Sequence, residues 1–595
     1  MKLIQNAVAK YFGSIFIILL FASVLITRND IFDGLILSKY LYFNEITTLT
    51  GILVGFYGLF KISKLSLNIR PFELFLGTFL GYILIHALLF NTIIEPKFCS
   101  QIMLLIACFV GKQYFDKPEN GIYIKICLLI FLLFGFYEGL LGMRYIYENH
   151  QQFNTLQLRG SFHNSGIYAI YLTGPFVLSF IVFLQYKSKS RLDTYLNIVS
   201  IFTFILLGFV LIYTQSRTAW IASFLGLCFT IIRYFKVSER IKNIVKSYLL
   251  RMVFLLLVLG CILLIGKQLY EFKKASAIGR VLVWKVSMEM VKERPVFGKG
   301  FNSFNQTYVN YQANYFSKSR DLQEIFVAGK VQYAFNDYLQ IILEYGFVGF
   351  SLFLGMILFI FYDHKNIYQG LLISCLIASL SSYPLQGLPT SLNFYFVLML
   401  SCLGSTKLNI FTTKTIQMKL IWITLICISI FIFRVNFSKE KIEKKCFVAE
   451  QFFNSDQYPE AIKRYEKLYP EIEKDSPNLM IYAKSLALNG QHAKAIKIYE
   501  QALKYLSDPF LCNNLGLSYQ AIGNFNKAEM MYQKSSRMIP SLIYPRYLLA
   551  KLYIKNRKLD KAKIIAREIV NLPVKVYSEA SNEMQMEMTD FLQSN

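Results

Sequence analysis

Apolar runs separated by short polar breaks fill the chain as far as about residue 436, and beyond residue 438 the pattern changes. Runs near 11–27, 46–62, 72–92, 98–115, 122–142, 165–186, 194–214, 218–235 and 250–266 are long enough, or nearly so, to cross a hydrocarbon core, which takes about 17 to 25 residues of helix. Four more follow near 338–361, 366–383, 389–404 and 419–436, of which the middle two are short. The pattern predicts an all-α fold whose first domain, residues 1–436, is a polytopic membrane helix bundle of about 12 to 13 spans.

One stretch breaks the rhythm. Residues 267–337 form a loop too polar for lipid and too long for a turn. In its first part Val281, Trp284, Met288 and Val291 recur at steps of three and four, which predicts one face of a short amphipathic helix on a membrane surface. Arg280 and Trp284 stand one turn apart; the helix must stop near Pro295, where Gly298 and Gly300 permit a tight turn.

The tail repeats itself. Ala461, Ala495, Ala528 and Ala562 are spaced by 34, 33 and 34 residues, each followed four residues later by Tyr465, Tyr499, Tyr532 or Ala566. Gly490 and Gly523 mark turns between paired helices, and Tyr458, His492, Phe525 and Leu559 occupy matching positions. This period resembles tetratricopeptide repeats, which stack into an α-solenoid and usually bind proteins, so residues 440–595 are expected to recruit or position a protein partner.

Charge adds a direction. The net charge of +26 would suggest nucleic acid on a soluble chain, but the cations sit mainly in alternate short loops, so topology explains them and nucleic acid is not expected. Lys61, Lys64 and Arg70, then Lys112, Lys117 and Lys125, then Lys187, Lys189 and Arg191, then Arg233 to Arg251, then Lys407, Lys414 and Lys419 mark the cytoplasmic side. The N-terminus is therefore inside, and the 267–337 loop and the repeats are outside. The ten cysteines include no CxxC pair, so neither a zinc site nor a disulfide framework is expected, and no metal or cofactor is indicated.

Polar groups that topology does not explain gather in the outward loops. Arg159, His163 and Asn164 precede a span, as interfacial anchor and helix cap or as binding groups. Arg217 sits in a turn too short to be a loop, a costly place for a charge unless it binds a substrate anion or pairs with Glu138, Glu344 or a carbonyl. Asn336 and Asp337 could cap the span that follows, and Glu344 lies two turns further along the same helix face. Nine loop cations (Lys273, Lys274, Lys285, Lys292, Arg294, Lys299, Lys318, Arg320 and Lys330) suit an anionic ligand or lipid headgroups equally. Arginines at one face of a bundle, with no nucleotide motif and no GxSxG, point to a lipid pyrophosphate.

At these residues the chain resembles the O-antigen ligase and polymerase superfamily. The likeness is carried by RGSFHN (159–164), TQSR (214–217), GRVLVW (279–284) with RPVFGKG (294–300), and FNDYLQIILEYGFVG (335–349). DGLILSKYLYF (33–43) and the repeats look like the Bacteroidota variant. The resemblance implies an inner-membrane glycosyltransferase that moves a glycan from undecaprenyl pyrophosphate to an acceptor hydroxyl on the periplasmic side, without a metal. By that analogy Arg217 and Arg280 hold the pyrophosphate, with Asp337 and Glu344 as further catalytic candidates. Arg159, His163, Asn164, Trp284 and Asn336 would line the substrates. One position departs: family ligases tend to carry histidine where Phe335 stands, so Asp337, Glu344 or His163 must act as base, or no strong base is needed. The acceptor is lipid A core, a growing glycan or a protein hydroxyl. A lipid-linked glycan transporter would need a polar path through the bundle, and a mere scaffold leaves Arg217 and Glu344 unexplained.

Overall fold

The computed structural model describes residues 15–61, 66–68, 70–116, 120–187, 189–237, 271, 273–319, 321–363, 366–404, 410–412, 415–573, 575 and 578–594. The span expected at 250–266, the start of that at 11–27, and the cations Lys64, Lys117, Arg240, Lys242, Lys246, Arg251, Arg320, Lys407 and Lys414 lie outside them. The described chain is helical apart from one antiparallel pair of three-residue strands, β1 (Ser66–Asn68) and β2 (Ile410–Thr412). It divides into two compact units.

The first unit comprises Met1–Leu269, Phe335–Ile341 and Phe347–Glu440. Its helices are α1 (Leu37–Lys61), α2 (Pro71–Leu89), α3 (Pro96–Phe115), α4 (Gly121–Glu148), α5 (Ser165–Gln185), α6 (Arg191–Tyr213) and α7 (Arg217–Tyr234). Most of α11 (Asp337–Asp363), then α12 (Gln369–Ser381), α13 (Leu388–Ser401) and the first part of α14 (Thr415–Asn454) complete it. Seven helices among the described residues are long and apolar enough to cross a membrane: α2 to α6, most of α11, and Lys419–Asn454. The two runs that looked short in sequence are short helices, α12 and α13.

Close helix contact needs small residues. A Cβ on Gly226 of α7 would lie 2.9 Å from the carbonyl oxygen of Gly370 in α12, and one on Gly370 would lie 2.8 Å from that of Gly226. Pro175 inside α5 cannot donate to the carbonyl of Tyr171, and the Asn393 side chain of α13 donates to it instead at 3.1 Å.

Hydrogen bonds sort the connections of this unit into two ends. At one, Arg70 pairs with Asp116 at 2.9 Å, Lys112 pairs with Glu73, and the N–H of Gly404 donates to Asp116. Asn366 reaches the carbonyls of Leu400 and Leu403 there. At the other, the connections before α1, α3, α5, α7, α11 and α13 meet. Thus α12 and α13 carry the chain from the first end to the second and back.

The second unit comprises Tyr270–Ala334, Ile342–Gly346 and Lys441–Asn595. Its first part holds α8 (Lys274–Glu293), α9 (Ser303–Phe316) and α10 (Leu322–Val327). After α14 come α15 (Tyr458–Ile472), α16 (Ser476–Leu488), α17 (His492–Leu503), α18 (Pro509–Ala521), α19 (Phe525–Met538), α20 (Ile543–Lys555), α21 (Leu559–Asn571) and α22 (Glu579–Ser594). The periodic residues Ala461, Ala495, Ala528 and Ala562, with Tyr465, Tyr499, Tyr532 and Ala566, are buried, as helix-pair stacking requires. The turns at Gly490 (φ 76°) and Gly523 (φ 81°) recur at Asp456 (φ 58°) and Arg557 (φ 55°), so four turns share one left-handed geometry although only two are glycine.

Candidate active site

In the first unit the second end is lined by a belt of buried polar side chains. Lys39 at the start of α1 donates to the carbonyl of Val24, to which the Ser161 hydroxyl also donates at 3.2 Å. Ser161 gives its N–H and its hydroxyl to the two oxygens of the fully buried Glu138. Gly160 takes φ +51°, and a Cβ there would fall 2.3 Å from Glu138 Oε2, so the RGSFHN turn needs its glycine. Arg159 and His163 on either side are exposed. The His163 imidazole is held below its ordinary pKa by desolvation first, then by the charges of Lys39 and Arg159. Asn164 caps α5, its Oδ1 accepting from Gly166 N at 2.8 Å and Ile167 N at 3.2 Å.

Arg217 is the first residue of α7, half-buried, after a three-residue turn in which Gln215 has φ +49°. Beside it the hydroxyls of Thr218 and Ser381 are 2.9 Å apart, which ties the start of α7 to the end of α12. The segment just after that end holds the start of α11. Asp337 is fully buried; its Oδ2 accepts the N–H of Leu385 at 3.0 Å, with the side chains of Ser379 and Gln386 and the charge of Lys97 alongside. Asn336, rather than Asp337, caps α11, accepting from Leu339 N at 3.0 Å. Tyr338 donates to the carbonyl of Leu376 at 2.8 Å. Phe335 has φ +50° and sets its ring edge-on to Tyr383 at 5.3 Å.

The 383–387 turn is the centre of this belt. Gln386 receives Lys97 Nζ on its side chain at 3.1 Å and the Tyr40 hydroxyl on its carbonyl at 2.8 Å. Asn44 joins Ser100, Pro96 O and Asn436. Sequence reasoning missed Lys39, Tyr40, Lys97 and Gln386 as members of the site. The signal for the first two was present in the 33–43 segment, where a lysine and a tyrosine precede an apolar run.

Arg280, Trp284 and Glu344 belong to the second unit. Helix α8 ends where Pro295 requires, at Glu293, and Trp284 Nε1 donates to the carbonyl of Ala334 at 3.0 Å, closing the loop on itself next to Phe335. The stripe buried within the protein is a second one, beside the stripe expected on a membrane surface. Leu282, Val283, Val286, Met290 and Val291 are buried, while Val281 and Met288 are 43% and 49% exposed. Both stripes of this helix are apolar, and periodicity alone cannot choose between them.

One difference concerns α11, which is not one continuous helix. Gly346 has φ 69° and ψ −176°, so the carbonyls just before it lose their partners one turn ahead. The RPVFGKG turn supplies replacements: Lys299 N donates to Leu343 O at 2.9 Å and Gly300 N to Glu344 O at 3.0 Å. The two backbones touch, since a Cβ on Gly346 would lie 2.1 Å from Val296 O and one on Gly298 2.5 Å from Glu344 O. Glu344 is buried at this junction.

Four of the loop cations are spent on this chain's own acids: Lys285 on Glu324, Lys292 on Glu289, Lys299 on Glu293 and Lys330 on Asp508. Among the described residues no three His, Cys, Asp or Glu side chains gather at metal-binding distance.

Residues 202–354 match the family model described as O-Antigen ligase, and residues 454–535 match that of anaphase-promoting complex, cyclosome, subunit 3, which falls on the repeats. No curated protein matches the chain. Among solved structures, a thermophilic TPR protein in Thermus thermophilus is similar over 29% of this chain and 94% of its own, at 14% identity and a TM-score of 0.23. Yeast Tom70 is similar over 83% and 96%, at 11% identity and a TM-score of 0.20. At such scores neither likeness bears on activity.

Proposed function

We propose that this chain, a member of the O-antigen ligase/polymerase superfamily by the domain at residues 202–354, transfers an oligosaccharide or polysaccharide from undecaprenyl pyrophosphate to an acceptor hydroxyl. The carrying observation is that the matched stretch takes in Arg217, Arg280, Trp284, Asn336, Asp337 and Glu344, six of the nine residues singled out by their chemistry. On this reading residues 1–436 are the transfer domain and 440–595 the repeat domain. The bundle sits in the inner membrane with its lysine-rich end cytoplasmic.

The reaction is a single displacement. The acceptor oxygen attacks the anomeric carbon, the bond from that carbon to the pyrophosphate oxygen breaks, and undecaprenyl pyrophosphate departs with the electron pair. Arg217 and Arg280 stabilise its growing negative charge, which guanidinium forks match in geometry. The acceptor proton goes to His163, an exposed imidazole whose lowered pKa keeps it neutral at neutral pH. Asp337 and Glu344 are buried and serve to hold the helix start and the junction. Lys39 and Lys97 add positive potential at the end of the first unit that carries Arg217.

Arg217→Ala and Arg280→Ala should each lower transfer by about a hundredfold or more, with membrane insertion unchanged. Glycan transfer assayed in membranes of a deletion strain carrying each variant tests this. Full activity in both would end the reading. The same strain, examined for loss of smooth lipopolysaccharide, of glycan length or of protein glycosylation, identifies the acceptor.

A further inference from the structure

The second unit joins two parts that are far apart in sequence. Helix α9 of the loop lies against α19 of the repeats. Ser507 N donates to the carbonyl of Gln306 at 2.8 Å, and Asn310 Nδ2 donates to the Ser507 hydroxyl. The fully buried Gln312 donates to Met538 O and to Gly329 O, while its Oε1 accepts the Tyr308 hydroxyl at 2.8 Å. Met538 is the last residue of α19, so its carbonyl has no partner further along the helix and the loop supplies one. Asp508 caps α18 with Oδ1, accepting from Phe510 N at 2.7 Å, and pairs through Oδ2 with Lys330. Lys575, just past α21, donates to Val327 O at 3.2 Å and Ala328 O at 3.3 Å.

Gln312, Ser507 and Asp508 are buried among these contacts, and buried hydrogen-bonded groups of this kind fix one arrangement. They continue into the loop. Val327 ends α10, whose Glu324 is buried and accepts Lys285 of α8 at 2.6 Å and the Tyr315 hydroxyl of α9 at 2.6 Å. Lys285 adjoins Trp284 and lies five residues beyond Arg280. An unbroken series of bonds therefore runs from the repeats to the helix that carries the proposed pyrophosphate ligand.

We infer that the repeat domain is a clamp whose ligand is the chain's own 300–334 segment, and that Gln312, Lys330 and Lys575 are positioning residues for Arg280 and Trp284. The positioning part rests on the transferase reading; the clamp itself does not. The full chain in nanodiscs tests both. Lys330→Glu and Gln312→Leu should raise protease cleavage within 300–334 roughly tenfold, as expected when one charge-assisted or buried hydrogen bond is lost. They should lower kcat for transfer to a similar degree while KM for the acceptor holds, and Lys330→Arg should restore both. If Lys330→Glu does not accumulate, Lys575→Ala, at an exposed side chain, provides the same comparison. Cleavage unchanged from wild type in these variants overturns the clamp. Cleavage raised with kcat unchanged overturns the positioning role. A wild-type chain without transfer activity overturns the transferase reading, and the cleavage measurement then decides the clamp alone.

Discussion

On the proposed transferase reading, three acidic or basic groups are candidates for the acceptor's proton, and their surroundings separate them. Asp337 and Glu344 are buried, the first holding the N–H of Leu385, whereas His163 is exposed beside Arg159. Its pKa lies below the ordinary 6.5, so the neutral, proton-accepting form prevails at pH 7. Transfer should be flat above about pH 6.5 and fall roughly tenfold per unit once the pH drops below the lowered value, because protonation then removes the base. His163→Gln should reduce the rate by about a hundredfold or more and abolish that acid limb. A pH–rate profile of both proteins checks this, and an acid limb that survives the substitution contradicts it. The stability sign is the same: the folded state resists the proton on His163, so protonation at low pH costs stability that returns as pH rises. The sequence marked His163, Arg217 and Asn336 because polar groups at the mouths of apolar runs stand out. It could not mark Lys97 or Gln386, whose role depends on which side chains the fold brings to them.

At the scale of elements, positions were more legible than faces. The stop of α8 before Pro295 and the start of α7 at Arg217 follow from local chemistry, as does the repeat period, where small and aromatic residues recur because each pair must stack on the next. Two apolar stripes run along α8: the neighbours packed against it bury Leu282, Val286 and Met290, and leave Val281 and Met288 of the stripe expected on a membrane surface exposed. The break at Gly346 was hidden, since a lone glycine in an apolar run reads as helix. Its reason is the approach of the 294–300 turn. Gly346→Ala would force a left-handed φ on alanine and push a methyl group against Val296 O, at a cost of roughly 2–4 kcal/mol. Thermal unfolding in detergent should show a lower midpoint for this variant, with Gly355→Ala no guide to it, because that contact is with a side chain, Phe75. An unchanged midpoint would mean that the two backbones are not in contact.

For the whole molecule, alternation of charge along the loops anticipated the sorting of the first unit's connections into two ends, and the short pair α12 and α13 preserves it by crossing and returning. The packing of the polar loop with the repeats was beyond the sequence, because its bonds join residues about 180 to 250 positions apart, through carbonyls and caps that no spacing reveals. The account as a whole stands on chemistry at a lipid pyrophosphate. The direct measurement gives the purified full chain an undecaprenyl pyrophosphate-linked oligosaccharide in nanodiscs with lipid A core, free glycan ends or peptide hydroxyls as acceptors, and follows both products. The account predicts that undecaprenyl pyrophosphate appears in equal amount to glycan joined to one of these acceptors, and that Arg217→Ala stops both. Donor that remains intact with every acceptor, or merely changes leaflet, would contradict it.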